Sequence, residues 1–489
     1  MNNPLHQRRA GVLLHITSLP GSRESGEFGA NAFRFVDFLA EAGITVWQML
    51  PLGPTLTDGS PYQSPSSYAG NSTMICLDLL AKWGWVDAEV VQAAQSGRDA
   101  VLAQTAREFA KRANDNERKE FKSFVDANKS WLEPYAFFRA LKKAHADAPW
   151  WEWEAGLRDR DAAAMDMARG ALADDIAAER FTQFAFNRQW RHLRAYANER
   201  GVKLFGDLPI FVAEDSAEVW AYRRYFDLDS TGRPNHVAGV PPDYFSATGQ
   251  RWGNPLYDWN AIAADKFRWW VDRLRRQFDL FDIVRIDHFR GFEAFWQIPA
   301  TCQTAIDGVW VKAPGEALFD RLSEELGELS IVAEDLGIIT AEVDALRRRS
   351  GMPGMKILQF AFGGDASNPY LPHNHELDSV VYTGTHDNDT SVGWFASIDE
   401  RTRRQVMEYL GQPEEEMPWP LVRSAFASVA RLAVVPMQDL LALDGAHRMN
   451  MPGKLDDRNW RWRFQWGQLD DALAGRVRGM VHLYGREGR

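Results

Sequence analysis

A (β/α)8 barrel with mainly helical insertions is the fold that this 489-residue sequence predicts. Three observations carry the expectation. Eight short runs rich in β-branched or apolar residues recur along the chain, each bounded by Gly, Pro or polar residues. Helix-like stretches lie between most of them. The runs are near-continuously apolar, as strands buried on both faces of a parallel sheet must be. Eight such strands suit a closed barrel. A doubly wound open sheet is the alternative, but no glycine fingerprint follows any run.

In chain order the first run is "GVLLHI" (11–16). The stretch after it, "AFRFVDFLAEAG", places Phe35, Val36 and Leu39 on one helical face and meets a stop signal at Gly43. "TVWQMLPL" (45–52) is the second run, and an Ala-, Glu- and Lys-rich region follows it, with a helical insertion expected over about 77–180. "VKLFGDLPIFV" (202–212) is the third run; the excursion after it, 213–280, has a Gly/Pro-rich centre, "GVPPDYFSATGQRWGNPLYDW", and reads as a loop-rich cover. "FDIVRIDHF" (281–289), "LSIVAEDLG" (329–337), "MKILQFAF" (355–362), "SVVYTGTHDN" (379–388) and "RLAVVPMQDLL" (431–441) complete the eight. One barrel spanning 1–489 is therefore expected, without a separate C-terminal β-sandwich.

Bulk composition narrows the function. A net charge of -11 argues against nucleic acid and against anionic membranes, since both call for a basic face. No segment has the uninterrupted apolar length of a membrane span, and the N-terminal apolar run is too short for a signal peptide. Cys76 and Cys302, far apart, suggest a reducing compartment, so a cytoplasmic location is expected. The 20 Trp are mostly expected in the core, with some left to form platforms for flat ligands. No organic cofactor and no metal is implied. "DLDSTG" (227–232) starts like a calcium loop but has Ala238 where the bidentate Glu belongs, and "HNH" (373–375) reads as a solvated loop. Nothing in the sequence specifies an oligomeric state.

In a (β/α)8 barrel the chemistry lies at the C-terminal ends of the strands. Four of the runs end in carboxylates there: Asp207 in "GDLP", Asp287 in "RIDH", Glu334 in "AEDLG" and Asp387, beside His386, in "THDN". A single Asp after a strand is equally a helix cap. Four on one rim point to a carboxylate-based active site. Strand alternation puts Arg285 and Asp287 on one face, with Val284, Ile286 and His288 on the other. Arg285 is then expected to hold Asp287 ionised. Of Glu334 and Asp335 only one can point inward; Glu334 is assigned there, and Asp335 is expected to cap the following helix. Two facing carboxylates, one of them with a raised pKa, are the minimum equipment for glycoside chemistry.

These residues, in this order, resemble the amylomaltase family, 4-α-glucanotransferases of glycoside hydrolase family 77. The resemblance runs from "GVLLHITSLPG" to "DRNWRWR" (457–463), through "SPYQS", "GDLPIFV", "FDIVRIDHFRG", "IVAEDLG", "YTGTHDNDT" and "HRMNMPG". It implies Asp287 as nucleophile, Glu334 as acid/base and Asp387 as a third carboxylate supporting the transition state. It also implies Tyr62, Asp207, Arg285, His386 and Asn388 as substrate contacts, with Tyr244 and Trp252 on a loop covering the substrate. The implied partners are α-1,4-glucan oligosaccharides and polysaccharides. An α-amylase-like hydrolase and a non-catalytic glucan-binding protein are the alternatives.

Overall fold

The computed structural model describes residues 3–21, 23, 25–93, 97–242, 246–454 and 456–488. Each apolar run contributes one strand to a parallel eight-stranded sheet. The strands are β1 (Arg9–Leu13), β2 (Val46–Gln48), β3 (Lys203–Leu208), β4 (Ile283–Ile286), β5 (Ile331–Ala333), β6 (Gly354–Ile357), β7 (Ser379–Tyr382) and β8 (Leu432–Pro436). Their lateral order is β6-β7-β8-β1-β2-β3-β4-β5, the order of a barrel opened at one seam. The seam is bridged: the Ala333 N–H donates to the Pro353 carbonyl at 3.0 Å. The expected (β/α)8 architecture is the one observed.

Both faces of the sheet are apolar because each meets a different core. Val12, Trp47, Leu204, Val284, Ile286 and Val381 pack outward into the large core shared with the helices. Leu13, Val46, Phe205, Ile283, Val332, Met355, Val380 and Val434 fill the barrel interior. Interdigitated interior layers of this kind make the barrel a packed body and not a pore. The first helix, Ala30–Glu41, buries Phe35, Val36 and Leu39 as its periodicity requires, and Gly43 beyond its end has φ 73°, where a Cβ would be strained.

Between β2 and β3 stand long helices, among them Arg98–Arg112, Asp115–Ala144 and Ala173–Glu199. Asn114 and Glu117 form a capping box at the start of Asp115–Ala144, satisfying two otherwise orphaned N–H groups. Trp85 joins these helices by packing on Phe109, Phe181 and Phe184. Trp47, Trp85, Trp150, Trp190, Trp220 and Trp270 are all fully buried, so much of the tryptophan serves packing.

A second, antiparallel sheet was not legible in the sequence. It joins Gln250–Pro255, His236–Val240, Ala294–Pro299 and Val309–Lys312 in that order. Two of these strands come from the excursion after β3 and two from the segment after β4. The register shifts at Gly239, where a Cβ would stand 2.2 Å from the Gln250 carbonyl oxygen. Glycine there permits the close approach. In "DLDSTG" the Asp229 carboxylate closes a turn on the Thr231 and Arg233 N–H groups at 2.8 and 3.0 Å. "HNH" departs from the solvated loop expected: His375 is buried, bonded to the Ser428 hydroxyl at 2.7 Å and the Tyr370 carbonyl at 2.8 Å. Among the described residues no helix is long and apolar enough to cross a membrane.

Candidate active site

The polar residues of the barrel interior gather at the C-terminal rim. On β3, Phe205 points inward and Gly206 outward, so Asp207 is again inward. A Cβ on Gly206 would strike the Phe281 ring at 2.2 Å; this glycine lets the strand lie flat on its neighbour. On β4, Ile283 is inward and Val284 outward, which returns Arg285 to the interior beside Asp207, its partner in register. The alternation read from the sequence therefore holds.

Arg285 is the hub. One guanidinium nitrogen donates to Asp207 Oδ2 at 2.6 Å, and the other donates to Asp287 Oδ1 at 2.7 Å. The Tyr62 hydroxyl donates to the same Asp207 oxygen at 2.7 Å. Burial pulls Arg285 down, but Asp207 and Asp287 outweigh it and keep the guanidinium charged. The reverse effect on Asp287 differs from expectation. Burial pushes Asp287 above the usual aspartate value; Arg285 opposes this, and the neighbouring negative charge of Asp207 adds to it. Desolvation here outweighs what the arginine returns.

Glu334, at the end of β5, lies against the same turn. Its Oε2 accepts the His288 N–H at 2.7 Å and its Oε1 the Leu336 N–H at 2.9 Å. His288 can offer its N–H this way because it sits in the left-handed region, φ 51° and ψ 51°. Two backbone donors fix the carboxyl plane and leave a proton on either oxygen free to point into the cleft. Burial, reinforced by Asp287 and opposed by Arg285, pushes Glu334 up to about 7. Of the two carboxyls, Glu334 is thus the one that holds its proton near neutrality.

Asp335 does not cap a helix. The next helix begins at Ala341 with Thr340 at its cap position, well beyond the reach of Asp335. The Asp335 carboxylate instead accepts the Met355 N–H at 2.7 Å and pairs with Arg347 at 3.3 Å, tying β5 to β6 across the seam.

The third carboxylate, Asp387, follows β7. Its Oδ2 lies 3.3 Å from His386 Nε2, and the Asn450 amide donates to its Oδ1 at 2.6 Å. Burial acts to raise it, but His386, the Asn450 hydrogen bond and Arg285 outweigh that and hold it at about 2. With 47% of its side chain exposed, it faces the open cleft as an anion. The Tyr62 ring stacks on His386, centroids 5.2 Å apart and planes 14° from parallel, which links this rim segment back to Asp207.

Asn388 does not join the cluster directly. Its side-chain oxygen accepts the Thr385 N–H and hydroxyl, both at 2.9 Å, and so shapes the turn that presents Asp387. Trp252 stands behind the carboxylate turn, edge-on to the His288 ring at 4.8 Å. Tyr244 lies outside the described residues. The sequence reading assigned no role to Asn450 or Trp460, although both fall in motifs it singled out. Trp460 packs 6.0 Å from both Tyr62 and His386. Only tertiary folding brings these C-terminal loops to the rim, so the motifs alone did not show which of their side chains would reach it. Among the described residues no group of His, Cys, Asp and Glu is arranged to hold a metal.

Residues 14–469 match the family model of glycoside hydrolase 77, described as 4-alpha-glucanotransferase. The chain is 50% identical over 491 residues to a 4-alpha-glucanotransferase of Thermus thermophilus, covering 97% of this chain and 98% of that protein. It is 46% identical to a 4-alpha-glucanotransferase of Synechocystis, covering 99% of each. In structure it is similar to an amylomaltase from Streptococcus agalactiae in complex with acarbose, with a TM-score of 0.94 and 36% identity over 98% of this chain and 100% of that one.

Proposed function

We propose a retaining double displacement as the chemistry of this chain, which belongs to the 4-alpha-glucanotransferase family of glycoside hydrolase 77. Its activity is the transfer of α-glucan segments, and each rim residue has a part in it.

An α-1,4-glucan binds along the rim with one sugar beside Asp387, His386 and Arg285. Asp287 attacks the anomeric carbon as the bond to the leaving 4-oxygen breaks, and Glu334 gives that oxygen its proton. The transition state is oxocarbenium-like and the product is a β-glycosyl ester on Asp287. The anion of Asp387 stabilises the developing positive charge. In the second half the 4-hydroxyl of an acceptor glucan attacks the same carbon, passes its proton to Glu334 and releases Asp287. Two inversions restore the α-linkage.

The observation that carries this reading is the environment of the pair: two carboxyls on adjacent strands, the one on β5 pushed to about 7 by burial and by its neighbour. Retention requires the two to stand about 5 to 5.5 Å apart. Transfer beats hydrolysis when water is excluded and an acceptor is well placed. We assign that task to the segment 213–280, with Trp252 edge-on to His288, and propose Tyr244 as a further substrate contact. Tyr62, Asp207 and Asn388 complete the donor side, and a cytoplasmic maltodextrin or starch fragment is the proposed substrate.

The test is incubation with maltotriose in the absence of phosphate, with the products then separated by size. Glucose together with oligomers longer than the substrate is the expected result. Shorter products alone would make water the acceptor and favour the hydrolase reading. An unchanged substrate would leave only binding. Acarbose, held by the structural neighbour, is expected to compete in this assay.

A further inference from the structure

Glu218 is a buried acid that the double displacement leaves unused. It is 3% exposed, in the short helix Ala217–Ala221 that follows β3. Its Oε1 accepts the Ser66 hydroxyl at 2.7 Å, and its Oε2 is buried without a well-aligned partner among the described residues. Burial, opposed by the Ser66 hydroxyl and backbone N–H groups, pushes it up to about 7. A carboxyl kept at such a position costs stability that an amide or an apolar side chain of similar size would not.

Its surroundings suggest what the acid does. Ser66 Oγ also accepts the N–H groups of Tyr68 and Ala69 at 3.2 and 3.3 Å, so one hydroxyl organises the turn while donating its own hydrogen bond to Glu218. The Ala217 N–H, next to Glu218, donates to the Pro65 carbonyl at 2.9 Å. Ser64 Oγ donates to the Ser66 carbonyl at 2.7 Å, and two residues before Ser64 stands Tyr62. A second brace lies nearer to Tyr62: the Gln63 amide donates to Asn254 Oδ1 at 3.4 Å, and the Asn254 amide to the Val212 carbonyl at 2.9 Å. The loop after β2 is thus pinned to the segment after β3 at Gln63 and at Pro65–Ser66, immediately after Tyr62, whose hydroxyl reaches Asp207.

We propose that Glu218 is a positioning residue: by clamping Ser66 it holds the Tyr62 loop where Tyr62 meets Asp207 and the donor sugar. Glu218 touches no substrate and acts only through that loop. The proposal rests on the reading of Tyr62 as a donor contact, and its test has one arm that needs no activity.

The variants are Glu218→Ala, Glu218→Met to keep volume without an acceptor, and Glu218→Gln to keep the acceptor without the charge. Hydrogen exchange is followed at the amides of 62–69, together with maltotriose kinetics. Glu218→Ala and Glu218→Met are expected to speed exchange in that loop and to raise KM about tenfold with a smaller change in kcat; Glu218→Gln is expected to restore both. In a Tyr62→Phe background the Glu218→Met effect on kcat/KM is expected to shrink below threefold, because the two residues act as a unit. Loop exchange unchanged in Glu218→Met would overturn the clamp, as would a Glu218 effect that simply multiplies with that of Tyr62→Phe. Faster exchange in an enzyme whose wild type leaves maltotriose unchanged would sustain the clamp while removing the catalytic reading on which its purpose rests.

Discussion

Arg285 divides its charge between Asp207 and Asp287, and that division sets the character of the site. Despite its contact with Arg285, Asp287 is left raised by burial, while burial, reinforced by the Asp287 charge, lifts Glu334 to about 7. Asp287→Asn is expected to lower kcat/KM by on the order of 10⁴-fold or more with the circular dichroism spectrum unchanged. The pH profile follows from the same pair. Glu334 must carry its proton for the first step, so kcat/KM falls as pH rises through about 7; Asp287 must be ionised, so the acid limb lies above the ordinary aspartate value. Stability has a matching sign. A carboxyl whose folded pKa is raised favours the folded state below its unfolded pKa and loses that advantage as pH climbs through the folded one. The fall in Tm between about pH 5 and pH 8 is therefore expected to be shallower in Glu334→Ala than in the wild type, as differential scanning calorimetry would record.

At the scale of the element, the strands were the most legible part of the sequence. Each of the eight apolar runs overlaps a barrel strand, because a parallel strand buried on both faces has few ways to be polar. The rim residues were legible for the complementary reason: Asp207, Arg285, Asp287 and Glu334 are charges where burial should forbid them. What escaped was whatever depends on a partner distant in sequence. Asp335 looked like a helix cap, and only the fold shows Met355 and Arg347 waiting across the seam. Asn450 and Trp460 stand in quoted motifs, but nothing local marks them as the side chains that reach the rim, and the second sheet pairs strands on either side of β4. Strand β3 offers a sharp check. Gly206→Ala would drive a Cβ into the Phe281 ring, and the overpacking is expected to cost about 1–3 kcal/mol in urea unfolding. Because Asp207 is the next residue, the variant is also expected to lose activity at temperatures where it remains folded.

For the molecule as a whole, closure of the barrel joins the two ends of the chain. Arg486 is fully buried and donates to the carbonyls of Phe426, Ala425, Ser428, Arg9 and Arg431, at 2.7 to 3.3 Å. It thereby ties the C-terminal segment to β1 and to the chain entering β8. Burial, aided by Arg8, lowers it to about 9, a measure of how completely it has left water. Arg486→Ala would leave those carbonyls short of donors in the interior. The expected loss is about 3 kcal/mol or more, seen as a lower urea midpoint with activity retained at low temperature.

Everything proposed for the rim turns on covalent glycosylation of Asp287. An α-maltosyl fluoride loses its fluoride without acid assistance, so Glu334→Ala should still form the glycosyl ester yet deprotonate acceptors too slowly to discharge it. Intact-protein mass spectrometry of that variant after mixing with the fluoride is expected to show one maltosyl adduct, and peptide mapping to place it on Asp287. Fluoride release without any adduct, or an adduct on another residue, would show that Asp287 is not the nucleophile.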